Sequence, residues 1–234
     1  MAVATTHGGV LLWEVRAGSL RWIERELPIW IRRLAFSPDG KCLVGGGDDG
    51  QVYVWDASDG RLLLRLGGHH AAVMSVAWSP DGTRLASGGG SLGKGEVFVW
   101  DASTGACLYT LNEPSGSVYA LAWNPGGAVL LSGGSDGRLR WWDVHSGQCI
   151  RVREAHQGTV QALKVSPDGS RLASCGNDGT IRLWDLESGH SLGTLRRDRP
   201  YERLNITGVQ GLTQAEIATL RALGAIEDTA TESP

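Results

Sequence analysis

The feature that most constrains this chain is a tryptophan followed by an acidic residue, a pair that recurs about every 42 residues. Successive marker tryptophans are separated by 42, 45, 42 and 42 residues; they are Trp13, Trp55, Trp100, Trp142 and Trp184. A second signal, Ser-Pro-Asp-Gly or Asn-Pro-Gly-Gly, recurs with them and begins at Ser37, Ser79, Asn124 and Ser166. A fixed period of this length indicates a repeat architecture, in which one small structural unit is copied along the chain.

Each repeat alternates short apolar segments with turn residues. In residues 159–194, segments rich in Val, Leu and Ile are separated by Ser-Pro-Asp-Gly, Asn-Asp-Gly and Glu-Ser-Gly. Proline suits the first central position of a turn because its φ is fixed at about −65°, and Asp-Gly is a hairpin signal. Each repeat therefore predicts four antiparallel strands. The 34 glycines and 10 tryptophans of the chain fit such an all-β protein with many tight turns.

This pattern resembles the WD40 repeat family over most of the chain. The resemblance implies a β-propeller whose blades are sheets of four antiparallel strands. We expect a partial first blade of three strands in residues 1–27. Full blades are expected at about 28–68, 69–112, 113–154 and 155–197.

The partial first blade raises the question of how the ring closes. A propeller should leave no open sheet edge, so the first blade needs a fourth strand. The repeat spacing places that strand at residues 203–209, which would close a five-bladed propeller spanning residues 1–209. The alternative is an incomplete propeller that stays open or is completed by another chain.

Residues 210–234 predict a short helix and a tail. Thr213 is the expected N-cap, Glu216 its capping-box partner, and Gly224 the residue that ends the helix. The apolar stripe that we expect to pack on the propeller consists of Ile217, Leu220 and Leu223. This tail is similar to the C-terminus of bacterial signalling ATPases of the NB-ARC or STAND type, which carry WD-repeat sensor regions. The similarity implies a bacterial, cytoplasmic sensor module.

Composition argues against several classes of function. The formal net charge of −3 offers no basic surface for nucleic acid. A membrane span would need a run of about eighteen apolar residues, and the sequence contains none. The four cysteines form no Cys-x-x-Cys pair, which favours small half-buried residues in a reducing compartment over a metal site or disulfides. We expect no cofactor, no metal, and a monomer.

A glycine-rich stretch at residues 88–95 comes close to a phosphate-binding loop. From Gly88 the chain reads Gly, four residues, Gly93 and Lys94, as in G-x-x-x-x-G-K-[ST]. A phosphate-binding loop precedes a helix, whereas a strand pattern follows here, and Gly95 stands where Ser or Thr would bind magnesium. The stretch also contains the three extra residues of the 45-residue repeat. It therefore predicts an elongated hairpin, and a nucleotide-binding enzyme is the less favoured alternative.

The family resemblance implies a hydrogen-bonded tetrad of His, Ser or Thr, Asp and the marker Trp in each blade. The last repeat carries the complete set, which consists of His156, Ser174, Asp178 and Trp184. A catalytic Ser-His-Asp triad is the alternative, but partial recurrence in other repeats and the indole donor favour a structural role. The replacements in the other repeats are Lys94 for Asp, Pro114 for His, Leu27 for His and Gly45 for Ser. Because Lys94 cannot accept a proton from histidine, we expect the second full blade to be the least well braced.

The resemblance also implies where a partner would bind. Propellers of this family often expose ligand-contacting side chains on the top face, before the first strand of a blade and beside the turn that carries the Asp. The corresponding candidates here are Trp30, Asp48, His70, Ser115, Ser135, Gln157 and Asn177. An exposed aromatic among polar neighbours fits a binding hot spot. The sequence thus predicts a non-catalytic scaffold that binds a protein or peptide.

Overall fold

The computed structural model describes residues 2–5, 9–24, 29–91, 93–111, 114–196 and 204–226. The chain divides into two compact units, residues 1–194 and residues 195–234. The first unit contains five antiparallel sheets that follow one another along the sequence. The second contains the short helix.

The first sheet has three strands among the described residues, and each of the others has four. The first comprises β1 (Ala2–Thr5), β2 (Gly9–Glu14) and β3 (Ser19–Glu24). The second comprises β4 (Ile31–Phe36), β5 (Cys42–Gly47), β6 (Gln51–Asp56) and β7 (Leu62–Gly67). The third comprises β8 (Val73–Trp78), β9 (Arg84–Ser91), β10 (Lys94–Asp101) and β11 (Cys107–Leu111). The fourth comprises β12 (Val118–Trp123), β13 (Val129–Gly134), β14 (Arg138–Asp143) and β15 (Gln148–Glu154). The fifth comprises β16 (Val160–Val165), β17 (Arg171–Gly176), β18 (Thr180–Asp185) and β19 (Ser191–Arg196).

The Ser-Pro-Asp-Gly segments form the tight turns that the sequence predicts. In the fifth sheet, the Ser166 hydroxyl donates to Asp168 at 2.5 Å and accepts the backbone N–H of Arg171 at 3.0 Å. Gly169 completes the turn with φ of 71°, a conformation that glycine adopts without strain. These turns, and the Asn-Pro-Gly-Gly turn that begins at Asn124, join the first strand of each four-stranded sheet to the second.

The first strand of each four-stranded sheet is the innermost. β4, β8, β12 and β16 lie against one another in succession. Each pairs with the second strand of its own sheet through a register shift at its second residue, which is a β-bulge. The bulged residues are Arg32, Met74, Tyr119 and Gln161. A bulge leaves its extra residue outside the ladder and turns its side chain in a new direction.

Neighbouring sheets bury their marker tryptophans against each other. Between the fourth and fifth sheets, Trp184 and Val160 pack with Leu139 and Trp141 in one buried cluster. The approach is close because position 133 is glycine: a Cβ there would lie 2.7 Å from Val160 Cγ1. Gly46 and Gly88 contact Val73 and Val118 in the same way. The propeller with five sheets is confirmed, and these contacts are what hold its sheets together.

The predicted closing strand at residues 203–209 is wrong for residues 204–209, and Arg203 lies outside the described residues. The Asn205 side chain accepts the N–H of Thr207 at 2.8 Å, and the backbone turns between Ile206 and Val209. Ile206 N–H donates to the carbonyl of Ile226, and Ile226 N–H donates to the carbonyl of Leu204, both at 2.9 Å. Local bonds therefore use the backbone groups that a propeller strand would need.

The C-terminal helix forms as predicted. α1 (Gln214–Ala222) begins after Thr213, whose hydroxyl accepts the N–H of Glu216 at 3.3 Å. The Glu216 carboxylate accepts the N–H of Thr213 at 2.8 Å, which completes the capping box. Gly224 follows the helix with φ of 107°. Packing of the apolar stripe on the propeller stays a prediction.

The Gly133–Val160 contact predicts a position-specific cost for alanine. We expect Gly133→Ala to lower the free energy of unfolding by about 1–3 kcal/mol, because its methyl group overpacks the interface between sheets. Gly193→Ala is the matched control, since a Cβ there meets no atom within 4 Å. Urea unfolding of both variants checks the prediction, and equal effects at the two positions would contradict it.

Candidate functional site

The fifth sheet contains the complete tetrad. Trp184 Nε1 donates to Ser174 Oγ at 2.9 Å, and Ser174 Oγ lies 2.8 Å from His156 Nε2. His156 Nδ1 lies 3.0 and 3.1 Å from the two carboxylate oxygens of Asp178. One arrangement satisfies every group: the serine accepts from the indole and donates to Nε2, and the Nδ1 proton faces the carboxylate. The tetrad links the turn before β16 to β17 and β18.

The tetrad has the order of a catalytic triad but not its accessibility. Ser174 is 1% exposed, and its hydroxyl is held between the indole and the imidazole. Burial raises the pKa of Asp178, but hydrogen bonds from Thr180 and His156 outweigh it and lower that pKa below its ordinary value. The carboxylate is therefore a permanent acceptor. This geometry braces the sheet rather than activating a nucleophile.

The third sheet holds a tetrad that sequence reasoning missed. Trp100 Nε1 donates to Ser87 Oγ at 2.8 Å, and Ser87 Oγ lies 2.7 Å from His69 Nε2. The acid is Glu96, two residues after Lys94, and its Oε2 lies 3.5 Å from His69 Nδ1. Lys94 occupies the position expected for the aspartate, and the expectation that this blade is the least well braced stays a prediction. Glu96 comes from the strand instead of the turn, and its carboxylate faces His69 Nδ1 without a hydrogen bond to it.

Glu96 is better satisfied than the histidine it faces. Its carboxylate accepts the backbone N–H of His70 at 3.0 Å and lies 2.6 Å from His70 Nδ1. Burial raises the pKa of Glu96, but these bonds outweigh it and lower that pKa. His69 Nδ1 makes no hydrogen bond, and burial lowers the pKa of His69 to about 4 despite the nearby carboxylate. His69 is therefore neutral at physiological pH.

The fourth sheet replaces the histidine with an arginine. Pro114 stands at the histidine position, and Arg140 Nη2 lies 2.7 Å from Asp136 Oδ2 with both side chains at least nine-tenths buried. Burial raises the pKa of Asp136, but bonds from Arg140 and Arg138 outweigh it and lower that pKa. Trp142 still donates to Ser132 at 2.8 Å. The fourth sheet therefore keeps the aspartate of the tetrad, with arginine instead of histidine as its partner.

The second sheet shows the effect of losing the serine. Asp49 accepts the hydroxyl of Tyr53 at 2.7 Å. The serine position is Gly45, where a Cβ would come within 2.8 Å of the Trp55 ring. Trp55 is fully buried and its Nε1 has no hydrogen-bond partner. Leu27, at the predicted histidine position, lies outside the described residues.

The predicted top-face positions meet at one rim, which we define by the residues before the inner strands and the turns after the second strands. A recurring backbone bond joins the two sets. The backbone N–H of the turn residue donates to the carbonyl of the residue before the inner strand. The pairs are Asp48 to Trp30 at 2.9 Å, Ser135 to Ser117 at 2.9 Å, and Asn177 to Thr159 at 3.0 Å. Six positions therefore have equivalent backbone surroundings in three sheets.

The bulged residues contribute to this rim, and sequence reasoning missed them. Arg32 donates from two nitrogens to the Asp48 carboxylate, the Nη2–Oδ2 distance being 3.0 Å. Gln161 Nε2 donates to Asn177 Oδ1 at 2.8 Å, the same pairing in the fifth sheet. The available signal was chemical: this second position is Arg, Met, Tyr and Gln, whereas the first and fourth residues of the same strands are always Ile, Val or Leu.

Trp30 is the most prominent apolar group of the rim. Its side chain is 51% exposed, and the Arg32 guanidinium carbon lies 5.4 Å from the ring centroid. The hydrogen bond to Asp48 raises the pKa of Arg32 further, so the guanidinium stays charged. Indole, guanidinium and carboxylate thus hold one another in place.

The remaining candidates have different surroundings. His70 is held by Glu96, and the backbone and hydroxyl of Ser115 donate to Asp136 at 3.4 and 3.2 Å. Gln157 is exposed, and its backbone donates to Asp178 at 3.1 Å. These three positions brace the acids of the tetrads while they face solvent. Ser135 is exposed beside them.

Residues 88–91 and 94–97 pair as the predicted hairpin. Ser91 pairs with Lys94 and Gly90 with Gly95 in the ladder between β9 and β10. The base of the hairpin is anchored to the next sheet, because Gly95 N–H donates to the Pro114 carbonyl at 2.8 Å and Ser117 Oγ to the Gly90 carbonyl at 2.9 Å. A strand follows the loop, so these residues do not form a phosphate cradle at a helix N-terminus.

Two further findings concern the described part of the chain. It contains no group of three or more His, Cys, Asp or Glu side chains placed to hold a metal ion. Within the same ranges, the helix falls short of the length and apolarity needed to cross a bilayer.

Comparison with known proteins gives a family match over more than half of the chain. The family model described as "WD domain, G-beta repeat" matches residues 27–56, 60–101, 105–143 and 147–185. A chain in the crystal structure of a mitotic checkpoint complex is similar with a TM-score of 0.75 and 28% identity. The similarity covers 83% of this chain and 59% of that one.

Curated relatives match over shorter stretches. The WD repeat and SOCS box-containing protein 1 of Takifugu rubripes is 36% identical over 93 residues, 39% of this chain and 22% of that protein. The WD repeat-containing protein 1 of Xenopus tropicalis is 38% identical over 64 residues, 26% of this chain and 10% of that protein. The matched region is thus less than a quarter of either relative's length.

The tetrad of the fifth sheet predicts a stability cost. Ser174→Ala leaves the Trp184 N–H and His156 Nε2 without their shared partner, so we expect a loss of about 1–3 kcal/mol in the free energy of unfolding. Ser170→Ala, at an exposed turn position, is the control and should change it by less than about 0.5 kcal/mol. Urea unfolding measures both, and a neutral Ser174→Ala would refute the bracing role.

His69 predicts a pH dependence in the acidic range. Its pKa is about 4 in the folded protein and about 6.5 when unfolded, so the unfolded state takes up the proton first. The stability that depends on neutral His69 is complete above pH of about 6.5 and is lost as the pH falls toward 4. We expect His69→Gln to be less sensitive to pH in this window. Urea midpoints measured at several pH values test this, and parallel profiles for the two proteins would contradict it.

Proposed function

Because the chain belongs to the WD40 family, we propose that it is a non-catalytic scaffold whose rim binds a protein or peptide. The family assignment supports an interaction role, and the neighbouring structure is a chain of a protein complex. The observation that carries the proposal is the group formed by Trp30, Arg32 and Asp48. It combines an exposed indole with charged groups already fixed in place.

This group has the properties of a binding anchor. The Arg32 charge is balanced by Asp48, so little free charge remains to be desolvated when a partner covers the indole. Preordering by the ion pair also reduces the entropy lost on binding. An apolar side chain of the partner would cover Trp30, while Ser135 and Asn177 offer hydrogen bonds to its backbone.

A finer proposal concerns the biological setting. The similarity of the tail to bacterial NB-ARC or STAND signalling ATPases favours a sensor module that acts in the cytoplasm. The two curated relatives described above come from vertebrates, and the support for a bacterial sensor is the sequence of the tail alone. Coexpression with a candidate ATPase domain of the same source and copurification would test it.

Two alternatives remain from the sequence. An incomplete propeller completed by another chain is favoured by one observation, the first sheet, which has three strands among the described residues. A nucleotide-binding enzyme rested on residues 88–95, and their pairing as a hairpin removes that support.

The binding role predicts a loss of binding when Trp30 is truncated. Peptides selected on the intact protein from a displayed library should lose at least about tenfold in affinity for Trp30→Ala, as expected when a hot spot of about 1.4 kcal/mol or more is removed. Leu108→Ala is the control, because Leu108 is 41% exposed on the outer strand β11. Calorimetry measures both affinities. Equal binding to the two variants would refute the rim as the site.

A further inference from the structure

A groove of about 500 Å³ opens between the second and third sheets. It is lined by the turns that follow β4 and β8 and by the turn that follows β10. These turns lie at the strand ends opposite the rim, because the rim lies at the start of β8 and the end of β9. The volume falls in the range of about 300–1,000 Å³ that is usual for ligand pockets.

The groove has an aromatic wall that is fixed in place. Trp78, the last residue of β8, is half-buried, and its Nε1 donates to the Ala35 carbonyl of the second sheet at 3.3 Å. This bond holds the ring between the two sheets. Pro38 and Ala102 add apolar surface beside it.

Three carboxylates, those of Asp39, Asp81 and Asp101, line the groove around this wall. Hydrogen bonds within the turns, first of all from a serine hydroxyl, lower the pKa of all three, that of Asp101 to about 2. They are therefore charged at physiological pH. All four hydrogen bonds to Asp101, from the backbone and hydroxyl groups of Ser103 and Thr104, go to Oδ1, so Oδ2 is available to a further donor.

The described residues that line the groove include no positive side chain to balance these acids. Lys41 lies beside it, with Nζ 3.6 Å from Asp39 Oδ2, but its side chain is 83% exposed. Arg84 lies opposite Asp101 in the ladder without lining the groove. Burial raises the pKa of Cys42 in the wall, and the charges of two nearby aspartates raise it further. The groove is thus a site of negative potential.

The combination of tryptophan and unbalanced acids is particular to this groove. Between the third and fourth sheets, the equivalent positions lose one aspartate and gain two residues that can carry positive charge. The replacements are Gly126 for Asp81, Arg84 for Cys42 and His145 for Ser103. Between the fourth and fifth sheets, Val165 replaces the tryptophan. Of these three places between four-stranded sheets, only the first joins an indole to three acids and no base.

We propose that this groove binds an arginine side chain from a basic segment of a partner protein. A guanidinium is planar, so it can stack on the Trp78 indole while its N–H groups donate to carboxylates. Lysine offers a single point charge and fits this geometry less well. Because bonds within the chain already hold the ring and the acids, little order has to be created on binding. The site lies apart from the rim and does not depend on binding there.

A labelled peptide that contains two arginines separated by glycine is the probe, and fluorescence anisotropy measures its affinity. Asp81→Asn and Asp101→Asn should each weaken binding at least about fivefold, because each removes a charge while the amide oxygen can still accept the turn bonds. Asp143→Asn is the matched control, since Asp143 is the equivalent of Asp101 at the next place and its turn accepts the same kind of bonds. It removes the same charge from the protein and should change the affinity by less than about twofold.

Trp78→Val tests the aromatic wall. Valine stands at the equivalent position of the fifth sheet, so the fold can accept it, and circular dichroism checks that the variant is folded. We expect the arginine peptide to bind about threefold more weakly or worse, because the stacking surface is lost. Trp30→Ala should leave the affinity for this peptide unchanged, which separates the groove from the rim.

Three outcomes would overturn the proposal. The arginine peptide could fail to bind the unaltered protein at millimolar concentration. Asp143→Asn could weaken binding as much as Asp101→Asn, which would show attraction to the overall charge alone. Affinity that survives Asp81→Asn, Asp101→Asn and Trp78→Val would place the peptide elsewhere on the protein.

Discussion

The rest of the structure depends on the burial of a marker tryptophan between each sheet and the one before it. A single four-stranded sheet has two faces to cover and cannot do so alone, so stability comes from stacking. Glycine at positions 46, 88 and 133 lets the inner strand of the following sheet approach, and the fully buried Trp142 shows how completely the gap is filled. Each repeat of about 42 residues therefore supplies one packing interface between neighbouring sheets.

The polar groups inside this packing show that one requirement can be met by different chemistry. The fifth sheet uses histidine with aspartate, the third histidine with glutamate, and the fourth arginine with aspartate. These three sheets have in common a largely buried acid close to the rim. Where the serine is lost, at Gly45, the indole N–H of Trp55 has no hydrogen-bond partner, and packing with aliphatic side chains and the stacked Tyr53 ring holds the side chain.

Sequence reasoning succeeded where the signal was local and repeated. Turns, strands, the capping box at Thr213 and the hairpin at residues 88–95 each follow from a few adjacent residues. It missed Glu96, because this acid lies in the strand, two residues after the expected position at Lys94. Only the folded structure shows that its Oε2 lies 3.5 Å from His69 Nδ1. Sequence reasoning also failed for residues 204–209, where the apolar pattern concealed an Asn205 turn that uses the backbone locally. The bulged residues, Arg32 among them, were missed because varied residue types at one strand position do not by themselves indicate a register shift.

The bulge frees the second residue of each inner strand from two structural demands, which are pairing in the ladder and contact with the neighbouring sheet. Residues within the ladder are selected for pairing and for contact with the neighbouring sheet, so few side chains are acceptable there. The bulged position escapes both demands, as the series Arg32, Met74, Tyr119 and Gln161 illustrates. Because these side chains lie outside the pairing, we expect substitutions there to change the rim and leave the ladder bonds in place. The binding specificity of the rim can therefore change while the fold stays the same.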